Sequence, residues 1–155
     1  MADGPYIAVI GPGQASEAEA ADAEAVGRAL AAGGAVVVCG GLGGVMEAAC
    51  RGAKAAGGTT VGILPGPDRA AANAWVDVAV ATGLGEARNA LVVRAADALV
   101  AVGGEYGTLS EIALALKTAK PVVGLGTWAL DRRPDPIARA RDPEDAATQA
   151  LAAVR

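Results

Sequence analysis

Short apolar run, glycine-rich turn and helical pattern succeed one another along the chain, and this order predicts an α/β fold, a Rossmann-like three-layer sandwich with a mostly parallel central sheet. Two further observations support it. The apolar runs are continuous rather than alternating, as in strands buried on both faces. Each also ends at glycines, at 11–13, 40–44, 65–66, 83–85, 103–107 and 124–126. Glycines that all follow strands share the carboxyl edge of the sheet, where open α/β sheets bind ligands. With 155 residues, 53% of them hydrophobic, one domain over 1–155 is expected.

Taken in order, Tyr6–Ile10 is the first strand, and Ser16 with Glu19 fits a capping box that opens a helix closed by Gly33 and Gly34. A second buried strand spans 35–39, followed by Gly40 to Gly44 and a helix over 45–56. Residues 59–64 form a third strand that stops at Pro65-Gly66-Pro67. A short turn or helix over 70–74 leads to a fourth strand at 75–80. Past Thr82 to Asn89 a helix runs to about Ala95, and 96–102 is the fifth strand. The next helix is expected over 108–118 and a sixth strand over 120–125. Between 126 and 141 prolines and arginines break the pattern, which predicts a surface loop. Asp142 as N-cap, Pro143 in the first helical position and Asp145 in the first turn start the last helix.

Composition narrows the chemistry. A formal charge of −4 argues against a general nucleic-acid binder, and no apolar run approaches the length of a membrane span, so a cytoplasmic protein without nucleic-acid or membrane partners is expected. The chain has no histidine and two cysteines, Cys39 and Cys50. That removes the usual zinc sites and the histidine-based nucleophile devices, and no metal ligand set is expected. Both cysteines read as buried small hydrophobes. A Walker-type loop is absent, Gly11-Pro12-Gly13 lacks the third glycine of the dinucleotide fingerprint, and the second strand ends without an acidic residue for a ribose hydroxyl.

The stretch Val102-Gly103-Gly104-Glu105-Tyr106-Gly107-Thr108-Leu109-Ser110-Glu111 is the most informative one. Strand, glycine turn and helix N-terminus make an anion site, because glycines admit close approach and the first helical turn has free N–H groups at the positive end of the dipole. Gly40 to Gly44 is either a second phosphate loop or a tight turn. Arg88 begins its own helix, where the dipole disfavours a cation unless a ligand anion offsets it. Glu111 admits two readings: Thr108-Leu109-Ser110-Glu111 fits a capping box, and the helical pattern, with Leu109, Ile112 and Leu116 toward the core, leaves Glu111 near the cleft. Leu91, Val92, Ile112 and Leu116 suit either core or an interface.

Arg88-Asn89, Asp97-Ala98 and Gly103-Gly104-Glu105-Tyr106-Gly107-Thr108-Leu109-Ser110-Glu111, together with Gly40-Gly41-Leu42-Gly43-Gly44-Val45-Met46, resemble the signature regions of the LOG superfamily, often labelled "lysine decarboxylase-like". The resemblance implies a Rossmann-like fold, a homodimer or homotetramer, and a pocket for a phosphorylated ligand; it does not imply decarboxylation. In the hydrolase members the residues matching Arg88 and Glu111 split the N-glycosidic bond of a nucleoside 5′-monophosphate. Gly103 in place of the family's proline, Glu105 in place of a glycine and Asn89 in place of a lysine are more similar to the branch containing molybdenum-cofactor carrier proteins. The expectation is therefore a binding protein for an AMP-like nucleotide or molybdopterin, requiring no further cofactor. The alternatives are a phosphoribohydrolase using Arg88 and Glu111, and a structural oligomer without ligand. The expected ligand contacts are Gly11, Gly13, Gly41, Gly43, Gly44, Arg88, Asn89, Gly103, Gly104, Gly107 and Thr108.

Overall fold

The computed structural model describes residues 3–155. Seven parallel strands form one sheet in the order β4-β3-β2-β1-β5-β6-β7, with β1 Tyr6–Ile10, β2 Val36–Cys39, β3 Thr60–Leu64, β4 Val78–Ala81, β5 Ala98–Val102, β6 Val122–Leu125 and β7 Ala138–Arg139. The helices are α1 Glu17–Ala32, α2 Val45–Ala55, α3 Arg88–Ala95, α4 Tyr106–Lys117 and α5 Pro143–Ala152. The three-layer α/β architecture is as the sequence predicts.

Strand alternation divides the core into two layers. Ile7 and Val9 of β1 and Val100 and Val102 of β5 pack with Val26 and Leu30 of α1, Ala49 of α2 and Ala150 of α5. Their neighbours Ala8, Ile10, Leu99 and Ala101 face Val92 of α3 and Ile112 and Ala115 of α4. Because the central strands β1, β2 and β5 are buried on both faces, they show continuous apolar runs rather than alternation. The crossing of α1 and α2 depends on two glycines inside helices: a Cβ on Gly27 would stand 2.0 Å from the Ala49 carbonyl oxygen, and one on Gly52 1.9 Å from that of Glu24. Close approach of the two backbones accounts for residues that otherwise weaken a helix.

The capping signals at both ends of the chain hold. Ser16 and Glu19 form the reciprocal capping box of α1, and the Asp142 side chain accepts from Asp145 N–H at the start of α5. Four expectations are corrected. The fourth strand begins at Val78, not 75, because Thr60 and Asp77 lock the preceding turn together: Asp77 N–H donates to Thr60 Oγ1 at 2.9 Å and Thr60 Oγ1 to the Trp75 carbonyl at 2.6 Å. The segment 126–141 is not wholly loop, since β7 adds a strand beside β6. α4 begins two residues early, at Tyr106 with Glu105 as N-cap, which dissolves the expected Thr108–Glu111 capping box. Its buried stripe is then Thr108, Glu111, Ile112 and Ala115; Leu109 and Leu116 are only half-buried. Of the four apolar residues that suited core or interface, Val92 and Ile112 are core and Leu91 is exposed. Among the described residues no helix is long and apolar enough to cross a membrane.

Candidate functional site

At the switch in strand order, where β1 has β2 on one side and β5 on the other, the carboxyl ends of the strands open into a cleft of about 250 Å³. Ile10, Gly11 and Gly13 form its floor and one rim beyond β1. Gly40 and Met46 contribute one wall, Arg88 and Asn89 of α3 another, and Glu105, Gly107, Thr108 and Glu111 of α4 a third.

Arg88 is the first residue of α3, after a 3₁₀ turn over Gly85–Ala87. Its guanidinium is held by three neutral acceptors: Nε donates to the Ile63 carbonyl at 2.9 Å, Nη2 to the Gly40 carbonyl at 3.3 Å and Nη1 to Asn89 Oδ1. Among the described residues it has no ion-pair partner within 4 Å. Position without neutralisation suits a cation meant for a ligand anion. Burial lowers its pKa, and the Glu111 carboxylate opposes that shift.

Asn89, 7% exposed, ties this cation to the facing helix. Its Nδ2 donates to Ser110 Oγ at 3.1 Å, and Ser110 Oγ donates to the Gly107 carbonyl at 2.6 Å. The first turn of α4 thereby faces Arg88 in a set position, with the backbone N–H groups of Tyr106, Gly107 and Thr108 outside the helix's own bonding. Thr108 adds a hydroxyl that is buried and has no hydrogen-bond partner. Such a group costs about 1–3 kcal/mol unless a ligand or water completes it. Glu111, one turn deeper, is pushed up to about 7 by burial, an effect the Arg88 charge only partly offsets. Its carboxyl therefore carries a proton for part of the time near neutrality and can then donate to an anion instead of repelling it.

The structure brings Gly11, Gly13, Arg88, Asn89, Gly107, Thr108 and Glu111 around one cleft. Five glycines of the expected set do not line it. Gly41 is pressed on Leu64 and Gly62, Gly43 lies near the Gly13 carbonyl, and Gly44, with φ +63°, lies where a Cβ would meet the Pro12 carbonyl at 2.2 Å. Gly103 faces the Glu19 carboxylate and Gly104 the Trp128 ring. The 40–44 loop is thus largely occupied by packing on the 11–13 turn, with Val45 N–H donating to the Pro12 carbonyl at 3.0 Å. Gly40 and Met46, the two ends of the glycine loop singled out in the sequence, do line the cleft, and Ser110 reaches it through Asn89, its three-residue spacing from Gly107 being what a local side-chain-to-backbone bond needs.

The model of the SLOG cluster4 family matches residues 4–152. The chain belongs to the SLOG cluster4 family. An uncharacterised protein of Archaeoglobus fulgidus is 49% identical over 119 residues, covering 77% of this chain and 78% of its own. Among solved structures, the molybdenum cofactor binding protein of the phototrophic bacterium Rippkaea orientalis superposes with a TM-score of 0.91 at 38% identity, covering 98% of both chains. The molybdenum cofactor carrier protein of Chlamydomonas reinhardtii does so with a TM-score of 0.83 at 36% identity, over 97% of this chain and 98% of that one. This SLOG cluster4 chain therefore has molybdenum-cofactor-binding proteins as structural neighbours along its full described length.

Proposed function

We propose that the protein binds a phosphorylated, nucleotide- or pterin-like ligand of the molybdenum-cofactor type in the cleft at the carboxyl edge of the sheet. The observation that carries this reading is the unpartnered Thr108 hydroxyl beside the free N–H groups of α4, facing an Arg88 held only by neutral acceptors. Phosphate oxygens accept from the amides of Gly107 and Thr108 and from the Thr108 hydroxyl, and Arg88 balances their charge. Gly13, where a Cβ would meet nothing nearer than Met46 Cε at 3.8 Å, keeps the opposite rim free of a side chain, whereas Gly11 is required by its packing on Val45 and the Val102 carbonyl. The donor set suits the phosphate end of molybdopterin, and the neighbours named for the molybdenum cofactor lend support. The test mixes purified protein with molybdopterin, removes free ligand and reads retained pterin by fluorescence. Retention in the wild type and its loss in Arg88→Ala is the expected result; equal retention by both overturns the assignment.

One observation favours a second reading. A buried, partly protonated Glu111 beside Arg88 is the pair a phosphoribohydrolase would use to steady an oxocarbenium-like sugar and activate water. Incubation with AMP and other nucleoside 5′-monophosphates decides it: free base that disappears in Glu111→Ala establishes hydrolysis, and its absence leaves binding alone.

A further inference from the structure

Directly behind the cleft wall made by Gly40 and Met46 lies a small sulfur cluster separate from the two main cores: Cys39 at the end of β2, with Met46 and Cys50 on α2. Both cysteines are free and fully buried, and their Sγ atoms are 3.4 Å apart. Their surroundings differ. The two thiols lie within hydrogen-bond distance and either can donate to the other; Cys39 Sγ in addition accepts from the Gly41 N–H at 3.3 Å and feels the Arg88 charge, so that with the bond to Cys50 its thiol is held below the ordinary range although burial opposes the shift. Cys50 is pushed up, first by its hydrogen bond with Cys39 and then by burial. The extra Gly41 N–H donor makes Cys39 the sulfur better suited to carry negative charge and Cys50 the one to keep the proton, the division of roles that thiol–disulfide chemistry uses.

We propose that Cys39 and Cys50 are a reversible dithiol–disulfide pair that is oxidised by hydroperoxides and controls the glycine loop forming the cleft wall. The Cys39 thiolate attacks the terminal oxygen of the hydroperoxide. The O–O bond breaks, Cys39 becomes a sulfenic acid, and the alkoxide leaves and takes a proton from solvent as an alcohol, or as water when the oxidant is hydrogen peroxide. Cys50 sulfur then attacks Cys39 sulfur, forming the S–S bond, and the displaced hydroxide takes the Cys50 proton and leaves as water. Two electrons have passed from the two sulfurs to the O–O bond. A disulfide requires the sulfurs to close to about 2.05 Å, and Cys39 then no longer offers a thiolate to the Gly41 amide. The neighbouring Gly40 carbonyl holds Arg88 Nη2, so oxidation releases the anchor of the loop at the point where that loop positions the cleft cation.

The test uses the full chain and hydrogen peroxide, with no cleft ligand, so its outcome is independent of the ligand reading. Expected are the loss of both thiols on titration after unfolding, an intact mass lower by two hydrogen atoms, a monomeric band on a non-reducing denaturing gel, and full reversal by dithiothreitol. Cys50→Ser stops at a sulfenic acid on Cys39 that dimedone traps, and Cys39→Ser leaves Cys50 unreacted. Amide exchange in the 40–44 loop becomes faster in the oxidised protein and returns after reduction. Retention of both thiols in the folded wild type, cross-linking between chains, dimedone capture on Cys50, or unchanged exchange in the loop overturns the proposal. The wild-type mass and exchange data decide it even where a serine variant fails to fold.

Discussion

Two glycine-rich junctions between a strand and a helix meet at the cleft, and they do different things. At the β2–α2 junction the glycines are covered by chain: Gly41 by Leu64 and Gly62, Gly44 by Pro12 and Gly13, with the first amide of α2 already bonded to Pro12. At the β5–α4 junction Gly103 and Gly104 are covered in the same way, by Glu19 and Trp128, yet the first turn of the helix stays open, and a Cβ on Gly107 would meet nothing closer than Asn89 Nδ2 at 3.9 Å. Glycine content alone therefore does not identify a phosphate loop. What sets the β5–α4 junction apart is uncovered N–H groups and an unpartnered hydroxyl that face an unneutralised cation across the cleft.

Substitutions separate the two junctions. The largest effect is expected for Gly44→Ala, which forces an alanine into φ +63° and drives its Cβ into the Pro12 carbonyl. The left-handed conformation and overpacking together cost about 3–5 kcal/mol in urea unfolding. A near-neutral result would show that the 40–44 loop is free to move and would erase the contrast.

Next is Glu111→Gln. Burial pushes the Glu111 carboxyl up to about 7 from the ordinary 4.5, so the folded state holds the extra proton between those values and wild-type stability falls as pH rises from about 4.5 through 7. The glutamine variant is accordingly more stable than wild type by up to about 3 kcal/mol at pH 8, a gain that vanishes near pH 4.5. Unfolding curves at the two pH values check this; a pH-independent difference would remove the burial argument.

A smaller effect is expected for Thr108→Val, which replaces the unpartnered hydroxyl with a methyl group of similar shape. The free protein gains about 1 kcal/mol while affinity for a phosphate-bearing ligand falls about tenfold, since one hydrogen bond to a charged group is lost. Thermal shift and calorimetry read the two separately, and unchanged affinity would make the hydroxyl a defect rather than a donor. The smallest change in stability belongs to Gly107→Ala, within about 0.5–1 kcal/mol and favourable, because alanine suits a helix better than glycine and the space is open. Compared with Gly44→Ala, it sets the size of the difference between a covered and an open glycine.

Much of this was legible from local pattern. Buried strands appear as unbroken apolar runs, Ser16 with Glu19 and Asp142 with Pro143 mark helix starts, and glycines after strands point to one edge of the sheet. The lining of the cleft was legible in outline through Arg88, Gly107, Thr108 and Glu111. It failed where two local signals competed: Thr108 and Glu111 have capping-box spacing, but Glu105 starts the helix earlier and turns both side chains inward. β7 was missed because a two-residue strand among prolines and arginines has no period to read.

The sequence by itself determined the α/β class, the edge that carries the site and the residue types available to it, because these depend on hydrophobic period and backbone freedom within a few residues. Only the tertiary structure decided which glycines are filled by chain and which line the cleft, that Arg88 is held without being neutralised, and that Cys39 and Cys50 touch. Each of those depends on segments dozens of residues apart, or on side chains from different elements, and a contact across the sheet leaves no mark in the local spacing of either partner.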